Sequence, residues 1–279
     1  MTMRTRFAPS PTGRLHLGHA FSALTAWQRV RQEGGVLVLR IEDIDGGRCR
    51  AEFETALMED LAWLGLVWET PVRRQSEHLE DYRVILEHLH QRGLLYPCFC
   101  TRSDILREAG AATSAPHGLP PPYPGICRHL DPRRRQQFLE EGRPHAWRLD
   151  SVRALGQTGA LSWRDDIAGD VPATPEWLGD VVLARKDTPV SYHLAVTHDD
   201  HLQGITHVIR GQDLFHATHV QRLLQALMGW DPPRYHHHPL ITDARGIRLA
   251  KRNQAETLQS LRAAGATPGD IRQRLGWCC

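Results

Sequence analysis

The sequence contains no long apolar run and only a small excess of positive charge. Its 279 residues carry 34 lysines and arginines against 32 acidic residues, a formal net charge of +2. A nucleic-acid partner would therefore have to be held by a local basic surface, because no global positive field exists to attract it. No stretch of about 18 apolar residues occurs, and the N-terminus has no signal-peptide core. We expect a cytoplasmic protein without membrane contact.

Cysteine is also scarce, and its placement is uneven. Of the six cysteines, Cys98, Cys100 and Cys127 fall within one proline-rich region. In a chain without a secretion signal, such clustering indicates metal or redox chemistry more than a disulfide framework. A closed zinc site needs a fourth donor, and the candidates nearby are His117, Tyr123 and His129. Coordination chemistry alone favours a histidine, and three buried thiols without metal are the alternative.

The first 94 residues alternate between strand-like and helix-like patterns. The predicted elements are a strand at residues 5–8, a helix at 18–32, a strand at 36–41, and helices at 52–64 and 80–92. Gly34 and Gly35 follow the first helix as C-terminal stop signals. No internal repeat is present. The alternation predicts an α/β fold with a parallel sheet and a ligand site at the carboxyl ends of its strands.

The middle of the chain has a different character, because prolines, cysteines and arginines gather there. We predict that it is a domain inserted between two halves of an α/β catalytic domain. The predicted boundaries are 1–94 for the first half, 95–184 for the insert, 185–243 for the second half, and 244–279 for a basic loop and a short helical remnant.

Several local patterns within these regions lead to further predictions. YHLAV, residues 192–196, is predicted to be a strand, with Asp199 and Asp200 in the hairpin turn after it rather than in a Mg²⁺ site. HHH, residues 236–238, is predicted to be a turn, because three consecutive side chains do not easily face one metal. Asp165 and Asp166 are assigned to the insert.

The segment PSPTGRLHLGH, residues 9–19, combines a tight turn with a helix N-terminus. Such a terminus offers backbone N–H groups and partial positive charge to phosphate. Gly18 allows a nucleotide to approach the backbone closely. His16 and His19 can point to one side and hydrogen-bond phosphate oxygens as charge moves to the leaving group. The alternative is that the two histidines only cap the helix.

The segment RLAKR, residues 248–252, is the second motif. A mobile basic loop suits a polyphosphate that is gripped in the transition state and then released. Lys251 is the residue to which we assign that grip. In isolation the motif would be an ordinary solvated surface loop, but its place at the end of a returning α/β segment favours the catalytic interpretation.

HLGH and RLAKR resemble the two signature motifs of class I aminoacyl-tRNA synthetases. The longer phrases RFAPSPTGRLHLGH, LRIEDID, YHLAVTHDD and IRGQDL resemble the glutamyl branch of that class. The resemblance implies a Rossmann-type catalytic domain with an inserted zinc-binding α+β domain and a short helical remnant. It also implies formation of glutamyl-adenylate from L-glutamate and ATP with Mg²⁺. The implied catalytic and ATP-binding residues are His16, Gly18, His19, Arg248, Leu249 and Lys251.

The resemblance further implies an amino-acid site. The implied glutamate-binding residues are Arg6, Ala8, Ser10, Glu42, Tyr192 and Arg210. Arginine forks suit the two carboxylates of glutamate, and an acid suits its ammonium. The alternative is a structural ion-pair network of Arg6, Glu42 and Arg210. Val196 stands where glutamyl-tRNA synthetases typically carry asparagine, so weaker glutamate binding is expected. Through the pattern YPGIC, the resemblance also implies Tyr123 as the fourth zinc ligand, with His129 as the second choice.

Little sequence follows RLAKR, where full-length members of the branch continue into an anticodon-reading region. The chain thus resembles shortened members that activate glutamate without tRNA and transfer it to queuosine in the anticodon of tRNA(Asp). We expect a monomer whose basic insert docks the anticodon stem-loop through Arg128, Arg133, Arg134, Arg135, Arg143 and Arg148. The alternatives are a truncated glutamyl-tRNA synthetase acting on the 3′ end of tRNA(Glu) and a catalytically retired RNA-binding module.

Overall fold

The computed structural model describes residues 2–101, 103–105, 123–241 and 256–277. Its strands are β1 (Arg4–Phe7), β2 (Val36–Ile41), β3 (Glu69–Arg74), β4 (Leu95–Cys98), β5 (Ala146–Leu149), β6 (Ser162–Asp165), β7 (Gly169–Pro172), β8 (Val182–Ala184), β9 (His207–Gly211) and β10 (Arg234–His238). Its helices are α1 (Leu17–Glu33), α2 (Ala51–Trp63), α3 (Leu79–Gln91), α4 (Pro132–Glu140), α5 (Ser151–Thr158), α6 (Tyr192–Leu202), α7 (Ala217–Met228), α8 (Leu258–Ala263) and α9 (Pro268–Arg274).

The predicted elements of the N-terminal half are present. Strands β1, β2 and β3 pair in parallel in that order. Helix α1 ends where the glycines predicted it, because Gly34 adopts the left-handed conformation with φ of 62°. On the apolar side, Ala23, Leu24 and Val30 of α1 pack into the core that β2 and α2 share.

A second parallel group continues the sheet. Strands β6, β10 and β9 are parallel neighbours, and β7 extends them antiparallel to β6. The two groups meet where Thr206 N–H donates to the Arg4 carbonyl at 2.9 Å, directly before β9. The chain continues from β1 to β2 and β3 on one side, and from β9 to β10 on the other, so the strand order reverses between β1 and β9. In open α/β sheets, ligands bind at the carboxyl ends of the strands beside such a switch point.

The insert is built on a separate antiparallel sheet of β4, β5 and β8. Strands β6 and β7 lie inside the predicted range 95–184, yet they belong to the sheet of β9 and β10 through the pairing of Asp165 with Tyr235. The assignment of Asp165 and Asp166 to the insert was therefore wrong. Both carboxylates face β10 instead, where they contact His237 and Arg234.

Two secondary-structure predictions in the second half were also wrong. YHLAV opens helix α6, and Asp199 and Asp200 lie within that helix, buried, and not in a hairpin turn. Helix α6 is buried on most of its circumference, so its sequence lacks the apolar periodicity that separates a helix from a buried strand. Residues 236–238 form the end of strand β10 and not a turn.

The C-terminal helices pack against the N-terminal half. Leu258, Leu261 and Ile271 are buried in its core, and Leu258 N–H donates to the Leu15 carbonyl at 2.8 Å. A β-bridge pairs Thr257 with His16 at the start of α1. Among the described residues, no helix has the length and apolar character needed to cross a bilayer.

Candidate active site

A cleft of about 580 Å³ opens at the carboxyl ends of β1 and β9. It brings together every candidate of the two predicted sites that the structure describes: Arg6, Ala8, Ser10, His16, Gly18, His19, Glu42, Tyr192 and Arg210. These residues come from both halves of the sheet, from the start of α1 and from the start of α6. Their convergence supports a single site, as expected at the switch point of an α/β sheet.

His16 and His19 line the cleft at the N-terminus of α1. His16 Nδ1 accepts from Gly18 N–H at 3.1 Å, and His19 Nδ1 accepts from His16 N–H at 3.2 Å. The histidines do cap the helix, as the alternative interpretation had it. This capping also orients them, because a neutral imidazole that accepts at Nδ1 carries its proton on Nε2. Each ring can then donate from Nε2 to a phosphate oxygen in the cleft.

Arg6 on β1 and Glu42, directly after β2, are held by a buried network of charges. Arg6 Nε donates to Asp200 Oδ1 at 3.0 Å. Arg40 donates to the same oxygen at 2.8 Å and to Glu42 Oε1 at 3.1 Å. The Arg40 side chain is completely buried, so its charge is compensated by these carboxylates rather than by water. The alternative of an ion-pair network is thus realised for Arg6 and Glu42, although both still line the cleft.

The network shifts the pKa values of its acids in opposite directions. Burial raises the pKa of Glu42 although Arg40 and Arg6 act to lower it. The pKa of Asp199 falls to about 2 in spite of burial, because His198, Arg40 and Gln75 stabilise the carboxylate. Asp199 lies below the cleft and also accepts from Tyr82 at 2.9 Å. A ligand ammonium beside Glu42 would favour its charged form, since an opposite charge lowers a carboxyl pKa.

Arg210 is held in a different way, by neutral oxygen and nitrogen atoms. Its Nη2 donates to Thr218 Oγ1 at 2.7 Å, Gln221 Oε1 at 2.9 Å and the Leu214 carbonyl at 3.2 Å. Its Nε donates to His237 Nε2 at 3.1 Å. In the described part of the chain no carboxylate forms an ion pair with Arg210. Its charge is therefore available to an anionic ligand.

Tyr192 connects the amino-acid site with a second cleft. Its hydroxyl lies 3.4 Å from Arg210 Nη1, and burial raises its pKa, so it remains a neutral donor. A neighbouring cleft, also of about 580 Å³, shares Ser10, Glu42 and Tyr192 with the first. It runs towards the insert, since its lining includes Val182 of β8 and Arg185 directly after that strand.

The three clustered cysteines converge with Tyr123. The sulfur atoms of Cys98, Cys100 and Cys127 all lie within 4.8 Å of one another. The Tyr123 hydroxyl is 3.4 Å from Cys98 Sγ and 3.5 Å from Cys100 Sγ. His129 is exposed and does not join the group. Four donors on one centre fit a closed structural metal site, and the thiols form no disulfide.

The arginines of the insert do not all face solvent. Arg148 is buried, with its guanidinium 3.7 Å from the Tyr123 ring centre and donating to the Asp180 carbonyl. Its predicted contact with RNA was therefore wrong. Arg135 donates to backbone carbonyls of the thiol-bearing loop. Arg133 and Arg134 are exposed on α4 and remain available for phosphate contacts.

Other predicted site residues lie outside the described residues: His117, Arg248, Leu249 and Lys251. The flanks of the RLAKR segment are described, and both reach the first cleft. Ile241 lines it, and Thr257 pairs with His16.

Sequence reasoning missed the residues behind the cleft. Arg40 and Asp200 hold Arg6 and Glu42, and His237 holds Arg210. The available signal was a charged residue inside an apolar segment, as Arg40 is within VLVLRI, because buried charges must be paired.

Comparison with known proteins agrees with this geometry. The model of the family of class I tRNA synthetases (E and Q), catalytic domain, matches residues 2–276. The glutamyl-Q tRNA(Asp) synthetase of Rhodobacter capsulatus is 49% identical over 98% of this chain and 100% of its own length. The protein of the same name from Symbiobacterium thermophilum is 41% identical over 98% of this chain and 85% of its own.

A solved structure is similar over nearly the whole chain. The glutamate-tRNA synthetase of Elizabethkingia anophelis superimposes with a TM-score of 0.81 at 29% identity, covering 96% of this chain and 60% of that longer one. The predicted class I fold is confirmed by these likenesses. The chain belongs to the class I tRNA synthetases of the glutamyl and glutaminyl type.

Proposed function

We propose that this protein activates L-glutamate with ATP, without tRNA, and transfers the glutamyl group to queuosine in the anticodon of tRNA(Asp). The observation that supports this most directly is that one cleft joins the start of α1, with His16 and His19, to Arg6, Glu42 and Arg210. We propose that the enzyme acts as a monomer. ATP and tRNA are cytoplasmic, so we place the reaction there.

In the first step a glutamate carboxylate oxygen attacks the α-phosphorus of ATP and pyrophosphate leaves. Arg210 and Arg6 hold the two carboxylates, and Glu42 accepts from the ammonium. His16 and His19 donate from Nε2 to phosphate oxygens, where charge increases in the transition state. Mg²⁺ enters with ATP, and Lys251 grips the polyphosphate. No protein nucleophile takes part, so positioning and electrostatic stabilisation account for the rate.

In the second step a hydroxyl of the modified base attacks the carbonyl carbon of the adenylate, and AMP leaves. The second cleft supports this proposal, because it meets the amino-acid site at Ser10, Glu42 and Tyr192 and opens beside the insert. Arg48 and Arg185 line this cleft and are exposed, and we assign to them contacts with phosphates of the anticodon loop. Such contacts predict a steep loss of affinity with salt.

Pyrophosphate exchange tests the activation step. Glutamate should support exchange in the absence of RNA, whereas glutamine and aspartate should not. Exchange that begins only after tRNA is added would contradict the self-sufficient site. No exchange with any amino acid would favour a retired RNA-binding module.

Labelled glutamate tests the transfer step. It should attach to tRNA(Asp) from cells that make queuosine and not to tRNA(Asp) from cells that lack it. Attachment should survive periodate blocking of the 3′ terminus alone. Labelling of the 3′ end of tRNA(Glu) would instead identify a truncated glutamyl-tRNA synthetase.

A pair of arginine variants separates the two steps. Arg185→Ala should reduce transfer while RNA-free exchange stays unchanged, because Arg185 lines the second cleft and is not among the residues that line the first. Arg83→Ala is the matched control, since Arg83 is an exposed arginine on α3. Equal transfer by both variants would remove Arg185 from the RNA-binding surface.

We further propose that Cys98, Cys100, Tyr123 and Cys127 hold one structural zinc ion. The ion would cross-link β4 to the loop before α4 and supply no catalytic chemistry. Metal analysis should find one zinc per chain, and Cys100→Ser should lose it. Limited proteolysis should then cleave the insert while the α/β sheet survives. A metal-free wild-type protein with a protease-resistant insert would contradict the proposal.

A further inference from the structure

Behind Arg210 lies a chain of buried polar groups that no predicted role explains. His237 sits between Arg210 on β9 and Asp165 on β6, and its own strand β10 lies between those two strands. Its Nδ1 is 2.8 Å from Asp165 Oδ2, and its Nε2 is 3.1 Å from Arg210 Nε. The side chains of His237 and Asp165 are 2% and 1% exposed. Water therefore cannot substitute for either contact.

The hydrogen bonds around Asp165 fix its charge. Its Oδ1 accepts from the N–H groups of Ile167 at 2.8 Å and Ala168 at 2.9 Å. Its Oδ2 accepts from His237 N–H at 3.2 Å as well as facing the ring. These bonds lower the pKa of Asp165 although burial acts to raise it. Asp165 is therefore an acceptor only, and His237 Nδ1 must carry the proton that lies between them.

The proton on His237 Nδ1 determines whether Arg210 faces a lone pair or an N–H group at Nε2. A guanidinium has donors and no acceptor, so it needs a lone pair at His237 Nε2. Only the neutral ring with its proton on Nδ1 offers that lone pair. Burial and the charge of Arg210 lower the pKa of His237 to about 4, which keeps the ring neutral at ordinary pH.

We propose that Asp165 and His237 are positioning residues for Arg210: the carboxylate fixes the tautomer of the ring, and the ring orients the guanidinium towards the ligand. The proposal rests on the proposed role of Arg210 in binding a glutamate carboxylate. His237 touches no substrate. It acts through Arg210, and the neutral acceptor orients the guanidinium without neutralising its charge.

Two variants of His237 divide its contacts. An asparagine amide can occupy the place of Nδ1, so His237→Asn keeps the contact with Asp165 and loses the one with Arg210. A glutamine oxygen can reach the place of Nε2, so His237→Gln keeps an acceptor for Arg210. His237→Asn should raise the KM for glutamate in pyrophosphate exchange roughly 10- to 100-fold, with little change in kcat or in the KM for ATP. His237→Gln should recover most of that loss.

The opposite pattern would overturn the proposal. A folded His237→Asn protein with wild-type KM for glutamate would show that the contact with Arg210 is unimportant. An equal rise in the KM for glutamate in His237→Asn and His237→Gln, with both proteins as thermally stable as the wild type, would show the same. A parallel rise in the KM values for ATP and glutamate would indicate a merely structural role.

Asp165→Asn tests the tautomer directly. The amide that this change introduces would place a donor against Nδ1, so the ring proton should move to Nε2, where it faces the N–H of Arg210. Nitrogen-15 NMR of the histidine rings should find Nδ1 of His237 protonated in the wild type and Nε2 protonated in the variant. In pyrophosphate exchange, the variant should also have a raised KM for glutamate. Nε2 protonation in the wild type would overturn the proposal even if Asp165→Asn does not fold. The NMR result is independent of activity, so a wild type without glutamate-dependent exchange would refute the proposed function separately.

Discussion

The two arginines of the cleft have surroundings of opposite character. Arg6 is paired with Asp200, which Arg40 also contacts, so charged groups surround it on the protein side. Arg210 is held by a ring nitrogen, a hydroxyl, an amide oxygen and a carbonyl. We call the first group the charged frame (Arg6, Arg40, Glu42, Asp199 and Asp200) and the second the neutral cradle (His237, Thr218, Gln221 and the Leu214 carbonyl).

The comparison indicates that the two environments serve different purposes, one in ligand binding and the other in folding. A guanidinium that already faces a carboxylate has part of its charge compensated, whereas one held by neutral acceptors presents its charge to the ligand. Arg210 should therefore contribute more to binding an anionic group than Arg6. The charged frame should matter more for folding, because removing one member leaves a buried charge unpaired.

The largest expected loss in the free energy of unfolding comes from a substitution in the charged frame. Asp200→Asn should lower the free energy of unfolding by about 3–5 kcal/mol, because Arg6 and Arg40 lose their shared carboxylate. Gln221→Met, a change of similar size in the neutral cradle, should cost only about 1–2 kcal/mol. Denaturant unfolding of both variants measures the difference. Equal losses would remove the distinction between the two environments.

The neutral cradle and the charged frame should also lose stability in different pH ranges. The folded pKa of His237 is about 4 against an ordinary 6.5, so the unfolded state binds more protons between these values and stability falls as pH falls through that window. The contribution is about 3 kcal/mol for one such ring. Asp199, with its pKa of about 2 against 3.8, adds a loss of about 2 kcal/mol only at lower pH, between about 4 and 2.

His237→Gln provides the measurement for the higher window. Unfolding curves between pH 6.5 and 4 should fall less steeply in this variant than in the wild type. Burial also lowers the pKa values of His193 and His219 to about 4. These two residues should account for the pH dependence of stability that remains in the variant. An unchanged slope would mean that His237 is already accessible to protons in the folded protein.

Substituting Arg210 itself should affect glutamate selectively. Arg210→Ala should cost about 1.5–3 kcal/mol in kcat/KM for glutamate, the range for a hydrogen bond to a charged group. Arg210→Lys should be nearly as poor, because an ammonium cannot satisfy the fork-shaped cradle. ATP binding should be almost unaffected. A loss of ATP binding equal to that of glutamate would contradict the assigned role.

The smallest effect is expected at Tyr192. Tyr192→Phe removes a hydroxyl that is 3.4 Å from Arg210 and should cost about 0.5–1.5 kcal/mol in glutamate binding, as for a neutral hydrogen bond. Because the ring stays, the walls of both clefts should keep their shape. A larger loss in transfer than in exchange would show that the hydroxyl serves the second cleft.

Much of the fold could be predicted from local sequence. Helix α1 lies between a turn rich in proline and glycine and a glycine in the left-handed conformation, so propensity and packing agree there. Helix α6 was predicted as a strand, because a helix buried on most sides has no periodicity to reveal it. The strands of 162–172 were assigned to the insert, since nothing local in a strand identifies the partner with which it pairs.

The candidate site divides in the same way. The sequence by itself determined which groups could contact the ligands, because HLGH, Arg6, Glu42 and Arg210 have the donors and charges that phosphate and glutamate require. Only the tertiary structure decided what holds them. Asp200 meets Arg6 across 194 residues of chain, and His237 meets Asp165 across 72. Such contacts depend on strand order and on the burial of a helix, and these are properties of the whole sheet rather than of any segment within it.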